Sequence, residues 1–300
     1  MKVSFLIVNY FTAEYVSNLI NSIKEHISKY NFEILILDNS CDTTQWKLLS
    51  YLASYQIKIF NLKKNLGFTK GNNFLYSKSN GEIITIINPD SFLIDDSLEL
   101  LFDFLSVSQN IGAIGPKLLN EDKTYQISYY KFPTLLSLLL EHIFLFFNPY
   151  KYKKETTEIF ECDVIKGACL VLKQDTIKQN GLFDEKFFMY SEEIDLCKRL
   201  IKSGKRNYYF PDAQIVHAGK KSSSQKEFSE FSLYHYHRSK IMYFLKYNGK
   251  LFGLLVKIIL LISLIEKTVI LFLVNKKFSS KIHWNVLKKI IGNNENLSNI

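Results

Sequence analysis

Over its first ninety residues the chain alternates apolar runs with amphipathic stretches, and that rhythm leaves few folds open. Residues 3–8 form the apolar run that a strand buried on both faces requires. Thr12 is placed to cap a following helix, in which Val16, Leu19, Ile20, Ile23 and Ile27 share one face. Residues 32–37, 57–62 and 82–87 read as the next three strands, with helical stretches at 46–53 and 70–79. Asp95-Asp96-Ser97 then reads as a helix start ahead of Leu98, Leu101, Phe102 and Leu105. Strands alternating with helices imply a parallel sheet covered on both faces, so the class is α/β.

Each early strand ends in a polar or glycine-containing element: Asn9-Tyr10, Asp38-Asn39-Ser40, Asn65-Leu66-Gly67 and Asn88-Pro89-Asp90. One such residue is ordinarily a turn or a helix cap. Four of them in register line the crevice outside the carboxyl ends of the strands, where open α/β sheets bind ligands. No G-x-G-x-x-G follows the first strand and no G-x-x-x-x-G-K-[ST] occurs, which argues against dinucleotide and P-loop schemes. Beyond residue 110 the alternation breaks down. Residues 113–119, 125–129, 160–165, 168–172, 206–210 and 214–217 read as strands, and 192–203 as a helix stopped by Gly204.

Composition narrows the class further. With 47% hydrophobic and 22% charged residues, the 300-residue chain is neither disordered nor a disulfide scaffold. Its net charge of +9 (38 basic, 29 acidic) suits a solvated basic face or an anionic partner. The basic residues are dispersed, which argues against nucleic acid. Cys41, Cys162, Cys169 and Cys197 form no C-x-x-C pair and read as buried reduced thiols. No cleavage site follows the short apolar start, so no signal peptide is expected. Residues 134–147 are too few to span a bilayer, and 251–274 are interrupted by Lys257, Glu266 and Lys267. The latter stretch, with Lys246, Lys250, Lys276, Lys277 and Lys281 near its ends, is expected to lie in a membrane interface as a helix or helical hairpin. A core helix pair, a dimer contact and a true span are the alternatives.

The polar blocks also occur in a familiar order. Ile7-Val8-Asn9-Tyr10, Leu37-Asp38-Asn39-Ser40, Asn65-Leu66-Gly67-Phe68-Thr69-Lys70-Gly71-Asn72-Asn73 and Asn88-Pro89-Asp90 come first. Lys166-Gly167-Ala168, Gly181-Leu182-Phe183-Asp184-Glu185-Lys186-Phe187-Phe188-Met189-Tyr190, Glu192-Glu193-Ile194-Asp195-Leu196-Cys197-Lys198-Arg199 and His217 follow. Over residues 1–245 the chain resembles glycosyltransferase family 2, and most of all the rhamnosyltransferase branch of bacterial polysaccharide assembly. The resemblance implies a GT-A fold, Rossmann-like and nucleotide-sugar-binding, with a mostly parallel central sheet. Residues 246–300 would then form a C-terminal segment of apolar, membrane-associated helices.

That resemblance implies an inverting, metal-dependent transfer of a sugar from a nucleotide-sugar donor. A hard divalent cation, Mg²⁺ or Mn²⁺, suits the departing diphosphate. In the family an Asp-x-Asp element holds it; here the first position is Asn88, leaving Asp90, with His217 as a further ligand. Asp38 would accept a hydrogen bond from the base, and Val8, Asn9 and Tyr10 would flank base or ribose. Gly67 and Gly71 would admit the ligand to the backbone, while Asn65 and Asn73, with Asn88, would face ribose or phosphate; capping is the alternative for these amides. The family's Glu-Asp motif reads Glu192-Glu193 here, so Glu193 takes the general-base position, with Glu192 and then Asp195 as fallbacks. Dipole complementarity at a helix start is the plainer reading of that pair. Asp195 and Arg199 are expected to hold the helix in place. The implied partners are dTDP-rhamnose and a polyprenyl-diphosphate-linked glycan acceptor, at the cytoplasmic face of a bacterial inner membrane. A homodimer, a UDP-hexose or UDP-N-acetylhexosamine donor, and a non-catalytic nucleotide-binding role at the membrane are the rival readings.

Overall fold

The structure, a computed structural model, describes residues 1–142, 155–219 and 226–292. The chain divides into two compact units, one of residues 1–132, 153–188 and 192–222 and another of 133–152, 189–191 and 223–300.

In the first unit, β1 (Lys2–Asn9), β2 (Asn31–Asp38), β3 (Ile57–Asn61) and β4 (Ile83–Ile87) run parallel in the order β3-β2-β1-β4. They are connected through α1 (Ala13–His26), α2 (Thr43–Ser50) and α3 (Gly67–Lys78). After β5 (Ser91–Leu93) and α4 (Ser97–Val107) come β6 (Ile111–Leu119), β7 (Tyr125–Gln126) and β8 (Tyr129–Tyr130). Then follow β9 (Phe160–Cys162), β10 (Val164–Ile165), β11 (Cys169–Lys173), α6 (Gln174–Asn180), α7 (Glu192–Lys202) and β12 (Arg206–His217). The sheet continues from β4 as β11-β6-β12-β5. β11 runs against both β4 and β6, and β5 against β12, so the sheet is mixed; β3, β2, β1 and β4 run parallel to one another, as do β6 and β12.

Side-chain alternation explains how the sheet buries both faces. Phe5 and Ile7 of β1 join one core with Val16, Ile20, Ile23 and Phe102. Leu6 and Val8, pointing the other way, join a second core with Leu75, Leu196, Leu200 and Tyr209. Each fully buried aliphatic side chain contributes about 1.5–3 kcal/mol.

Several local expectations change. Thr12 does not cap α1; its hydroxyl donates to Asn9 Oδ1 at 2.8 Å, because the strand end claims it first. α2 begins at Thr43 because Asp42 accepts from Gln45 N at 2.9 Å. The strand expected over 125–129 divides into β7 and β8, which join different sheets, and the one over 160–165 divides into β9 and β10. The two expected near the end merge into β12, with a register shift between Phe210 and Gln214. α6 was not anticipated. The four cysteines form no disulfide, but Cys41 is exposed, lying in a loop rather than in the core.

The second unit is helical: α5 (Leu135–His142), α8 (Lys226–Asn248), α9 (Lys250–Leu273) and α10 (Lys277–Gly292). Leu264, Val286, Leu287 and Ile290 form its core. The lack of a side chain at Gly253 admits Leu245, whose Cδ2 would lie 2.2 Å from a Cβ there. Glu141 is held by Lys240 at 2.8 Å and by Tyr236 at 2.6 Å. The apolar stretch 251–274 is thus one helix, not a hairpin. Among the described residues no helix is long and apolar enough to cross a membrane. Of the stretch 134–147, the part after His142 lies outside the described residues.

Gly67 supplies a test of the packing. It sits at φ +74°, and a Cβ there would lie 2.5 Å from the Phe188 carbonyl oxygen; Gly204, at φ +85°, has open space. Left-handed backbone costs an L residue about 1–2 kcal/mol. Both Gly→Ala variants lose that much, and Gly67→Ala loses more because backbone must shift. Denaturant unfolding of the two variants, each compared with the parent chain, checks the order.

Candidate active site

The donor-side residues converge at the ends of β1 and β2. Asn9 donates to Asp38 Oδ1 at 3.1 Å and to Ser40 Oγ at 3.2 Å, and accepts from Thr12 N and Oγ1. Its side chain therefore fixes the strand ends to each other. Asp38 is fully buried; Oδ1 also accepts from Ser40 N at 3.0 Å, while Oδ2 is buried without a hydrogen-bond partner. A buried carboxylate oxygen left unmatched is costly, and a ligand N–H would satisfy it. Tyr10 is half-buried beside this carboxylate's strand end, its ring 4.9 Å from Phe11. Asn39 bridges to the next strand end: its amide donates to Gly67 O at 2.9 Å and accepts from Leu66 N at 3.2 Å.

The loop opening α3 is used differently from the expectation. Asn65 accepts from Gly67 N at 2.8 Å, a local turn. Asn73 donates to Phe183 O at 2.9 Å and accepts from Phe183 N at 3.1 Å, which pins the 181–185 loop. Its amide is committed to protein, as the capping alternative requires. Phe188 O accepts from Phe68 N and Thr69 N and so caps α3, and the space beside Gly67 is filled by Phe188. Gly71 lies against Val8 and Leu37, where a Cβ would stand 3.0 and 3.2 Å from their methyl groups. Close approach at both glycines is thus made by protein.

Across the sheet, β4 delivers Asn88-Pro89-Asp90 and β12 delivers His217. Asn88 Nδ2 lies 3.3 Å and Asp90 Oδ1 3.5 Å from His217 Nε2. His217 Nδ1 is 2.7 Å from Gln126 Oε1, an acceptor, so Nδ1 carries the proton and Nε2 presents its lone pair. A carboxylate oxygen and an imidazole lone pair that face each other, both buried, fit a divalent cation. Among the described residues no three His, Cys, Asp or Glu side chains cluster for a metal, so a cation here would complete its shell from a ligand's oxygens.

Gln126 Oε1 also accepts from Lys166 Nζ at 2.7 Å. Burial lowers the Lys166 ammonium to about 8, against the opposing charges of Asp90 and Glu193. Glu193 opens α7 with its side chain against Gly167, where a Cβ would be 3.7 Å from its own. Tyr130 of β8 donates a short hydrogen bond to Glu193 Oε1. Burial raises the Glu193 carboxyl above the ordinary carboxylate range, although Tyr130, nearby backbone N–H groups and Lys166 pull it down. Glu192 is raised well above that range, by burial and then by Glu193. Of the two, Glu193 has the environment that tolerates the charge. Two residues that sequence reasoning missed tie these groups together in two sets: Gln126 holds Lys166 and His217, and Tyr130 holds Glu193.

Asp195 is fully buried and holds Arg199 Nε at 2.8 Å. Arg199 also donates to the carbonyls of Asn180, Gly181 and Leu182. Both expected modes of holding α7, within the helix and to the loop, occur together.

This architecture and these sequences have relatives. The chain is 30% identical over 159 residues to the N-acetylglucosaminyl-diphospho-decaprenol L-rhamnosyltransferase of Mycobacterium tuberculosis, covering 51% of this chain and 52% of that protein. It thus spans about half the length of the first curated relatives it matches. It is 25% identical to Rhamnosyltransferase WbbL of Escherichia coli, over 72% of this chain and 83% of that one. In fold it is similar to a mannosyltransferase of Pyrobaculum calidifontis solved with GDP-Man and Mn²⁺, with a TM-score of 0.55 at 13% identity over 98% and 88% of the two chains. Residues 4–175, more than half of the chain, match glycosyl transferase family 2, and the chain belongs to that family.

Proposed function

We propose that the chain transfers a sugar from a nucleotide-sugar donor to an acceptor hydroxyl in one inverting displacement. One observation carries the reading: a polar chain running from Asp90 through His217, Gln126 and Lys166 to within electrostatic reach of Glu193, at strand ends shared with the half-satisfied Asp38. Asp38 Oδ2 accepts from the base, and Asn9 fixes it in place. Asp90 and His217 would hold a divalent cation, which when bound would neutralise the charge of the diphosphate. Glu193 takes the proton of the acceptor hydroxyl. The oxygen's freed pair bonds to the anomeric carbon from the face opposite the phosphate. The carbon–oxygen bond to phosphate breaks, and its electron pair leaves with the nucleoside diphosphate. Glu193 then returns its proton to solvent.

Rhamnose from dTDP-rhamnose is the favoured donor, and a polyprenyl-diphosphate-linked glycan the favoured acceptor, because the relatives named above are rhamnosyltransferases and one is named for such a lipid. A UDP-N-acetylhexosamine donor is the second reading, favoured by 22% identity to the Staphylococcus aureus poly(ribitol-phosphate) β-N-acetylglucosaminyltransferase TarS. For a lipid acceptor, α9 provides a surface. It exposes Leu251, Leu254, Ile258, Ile262, Ile265 and Val269 between Lys250 and the exposed Lys276, Lys277 and Lys281. An apolar face flanked by ammonium groups suits peripheral attachment to an anionic, cytoplasmic membrane surface.

The tests follow the roles. Glu193→Gln lowers turnover about 10²–10⁴-fold with donor affinity retained, and Glu192→Gln lowers it less. The base works deprotonated and its proton is held above the ordinary carboxylate range. Turnover of the parent therefore rises with pH through that raised range, and Glu193→Gln flattens the limb. A flat parent profile would remove Glu193 from the role.

Asp90→Ala abolishes the thermal stabilisation that Mn²⁺ with nucleoside diphosphate gives the parent, and leaves unfolding without ligand nearly unchanged. Retained Mn²⁺ dependence assigns the cation elsewhere.

Ile258→Asn with Ile262→Asn, both exposed, releases the chain from anionic vesicles in co-sedimentation without altering its far-ultraviolet circular dichroism. Unchanged sedimentation excludes α9 as the attachment face.

A further inference from the structure

Lys166 stands at a junction that the scheme above leaves unused. It follows β10 and precedes β11, and its backbone N donates to Ser128 O at 2.9 Å. Two residues on, Ala168 O accepts from Asn88 N at 2.9 Å, which sets this turn beside Asn88-Pro89-Asp90. Next to it, Gly167 is in van der Waals reach of the Glu193 side chain. The turn that carries Lys166 therefore borders both Asn88-Pro89-Asp90 and Glu193, and its ammonium feels the charges of Asp90 and Glu193.

Its bonding is incomplete. An ammonium has three N–H donors. One donates to Gln126 Oε1, and among the described residues no carboxylate stands within 4 Å of Nζ and no second acceptor is hydrogen-bonded to it. The side chain is half-buried. A partly desolvated cation with two unused donors is unfavourable by itself and matches an anion with several oxygens. Gln126 strengthens the case. Its single carbonyl oxygen takes the protons of Lys166 and His217 together, so the lysine and the imidazole are aimed from one fixed point. Gln126 is itself held by Asn120 Oδ1 at 2.9 Å and His217 O at 3.1 Å.

We infer that Lys166 is a second, protein-borne cation of the donor site, which binds the diphosphate of the nucleotide sugar and stabilises the charge on it as the bond to the sugar breaks. The inference rests on the donor-site reading proposed above. It adds a fixed charge that complements a site with one aspartate in the Asn88-Pro89-Asp90 turn. In the transfer step no proton moves through Lys166. Its N–H groups bond to phosphate oxygens as the electron pair of the broken bond settles on the departing nucleoside diphosphate.

Binding, without turnover, tests it. The full chain, Lys166→Met and Lys166→Arg are titrated calorimetrically with dTDP, UDP and GDP and with dTMP, UMP and GMP, in buffer containing Mn²⁺. The parent binds one diphosphate more tightly than its monophosphate. Lys166→Met weakens that diphosphate about 10–100-fold, the range for hydrogen bonds to a charged group, and leaves the monophosphate unchanged. Lys166→Arg, which keeps the charge, recovers most of the loss. Equal binding of the diphosphate by Lys166→Met and parent overturns the assignment. So does an equal loss for diphosphate and monophosphate, which marks a structural effect. If the parent binds no diphosphate at all, the donor-site reading itself fails and takes this inference with it.

Discussion

The pairing of β4 with β11 sets the geometry of the whole site. Five residue pairs, from Ile83 opposite Lys173 to Ile87 opposite Cys169, run antiparallel, and Asn88 N to Ala168 O extends the ladder one step. Alternation sends Ile84, Ile86, Leu170 and Leu172 into one core and Ile83, Ile87, Cys169 and Val171 into the other. A one-residue slip would exchange the two sets and break both packings. This register decides which residues of the turn before β11 meet the turn after β4, and it brings Lys166 to Asp90. Gly115 of β6 secures the approach from the other side, since a Cβ there would sit 2.2 Å from Ile165 Cγ2. The residues proposed to hold the donor and the turn beside the proposed base therefore meet at one ladder.

Electrostatics then decides which buried carboxyl carries charge. Glu192 and Glu193 are adjacent, and burial works against ionising either. Two ionised neighbours in a low-dielectric site would repel strongly. Glu193 receives the Tyr130 hydroxyl, backbone N–H groups and the field of Lys166; Glu192 has only its own backbone N–H in compensation. Of the two, Glu193 has the surroundings that favour the charged form. α7 is kept from shifting under this load by Arg199, which binds Asp195 and three loop carbonyls at once. A single helix thus presents the proposed base, Glu193, from its first turn and is fastened to the fold through its second.

How much of this was legible depends on the range of the interaction. The α/β rhythm, β1 to β4, their polar ends and the helix beginning at Glu192 follow from periods of two and 3.6 and from local turn chemistry. Glycine positions were legible but not their reasons. Gly67 and Gly71 yield room to Phe188, Val8 and Leu37, neighbours that only the folded chain supplies. Asn73, which reads as a ligand amide, serves a loop 110 residues away. Tyr130 and Gln126 were invisible for the same reason. Their partners lie 63 and 91 residues further along, and a two-residue strand leaves no period to read. The insertion of β11 between β4 and β6 is equally non-local, and with the antiparallel pairing of β5 to β12 it makes the expected mostly parallel sheet a mixed one.

The amide at position 88 fits this arrangement better than a second carboxylate would. Asn88 Nδ2 faces the lone pair of His217 Nε2 at 3.3 Å, a contact an amide makes as donor and a carboxylate cannot. Two carboxylates two residues apart in a buried turn repel unless a cation lies between them, so the turn's stability would depend on the metal. With Asn88 the turn is tied to His217, and His217 to Gln126, by neutral hydrogen bonds in the absence of a cation. On the proposed reading the turn offers a cation one carboxylate in place of two, and Lys166, held by the same glutamine as His217, adds a positive charge to the site. The departure from two aspartates to one is in this sense matched by the turn on the opposite strand.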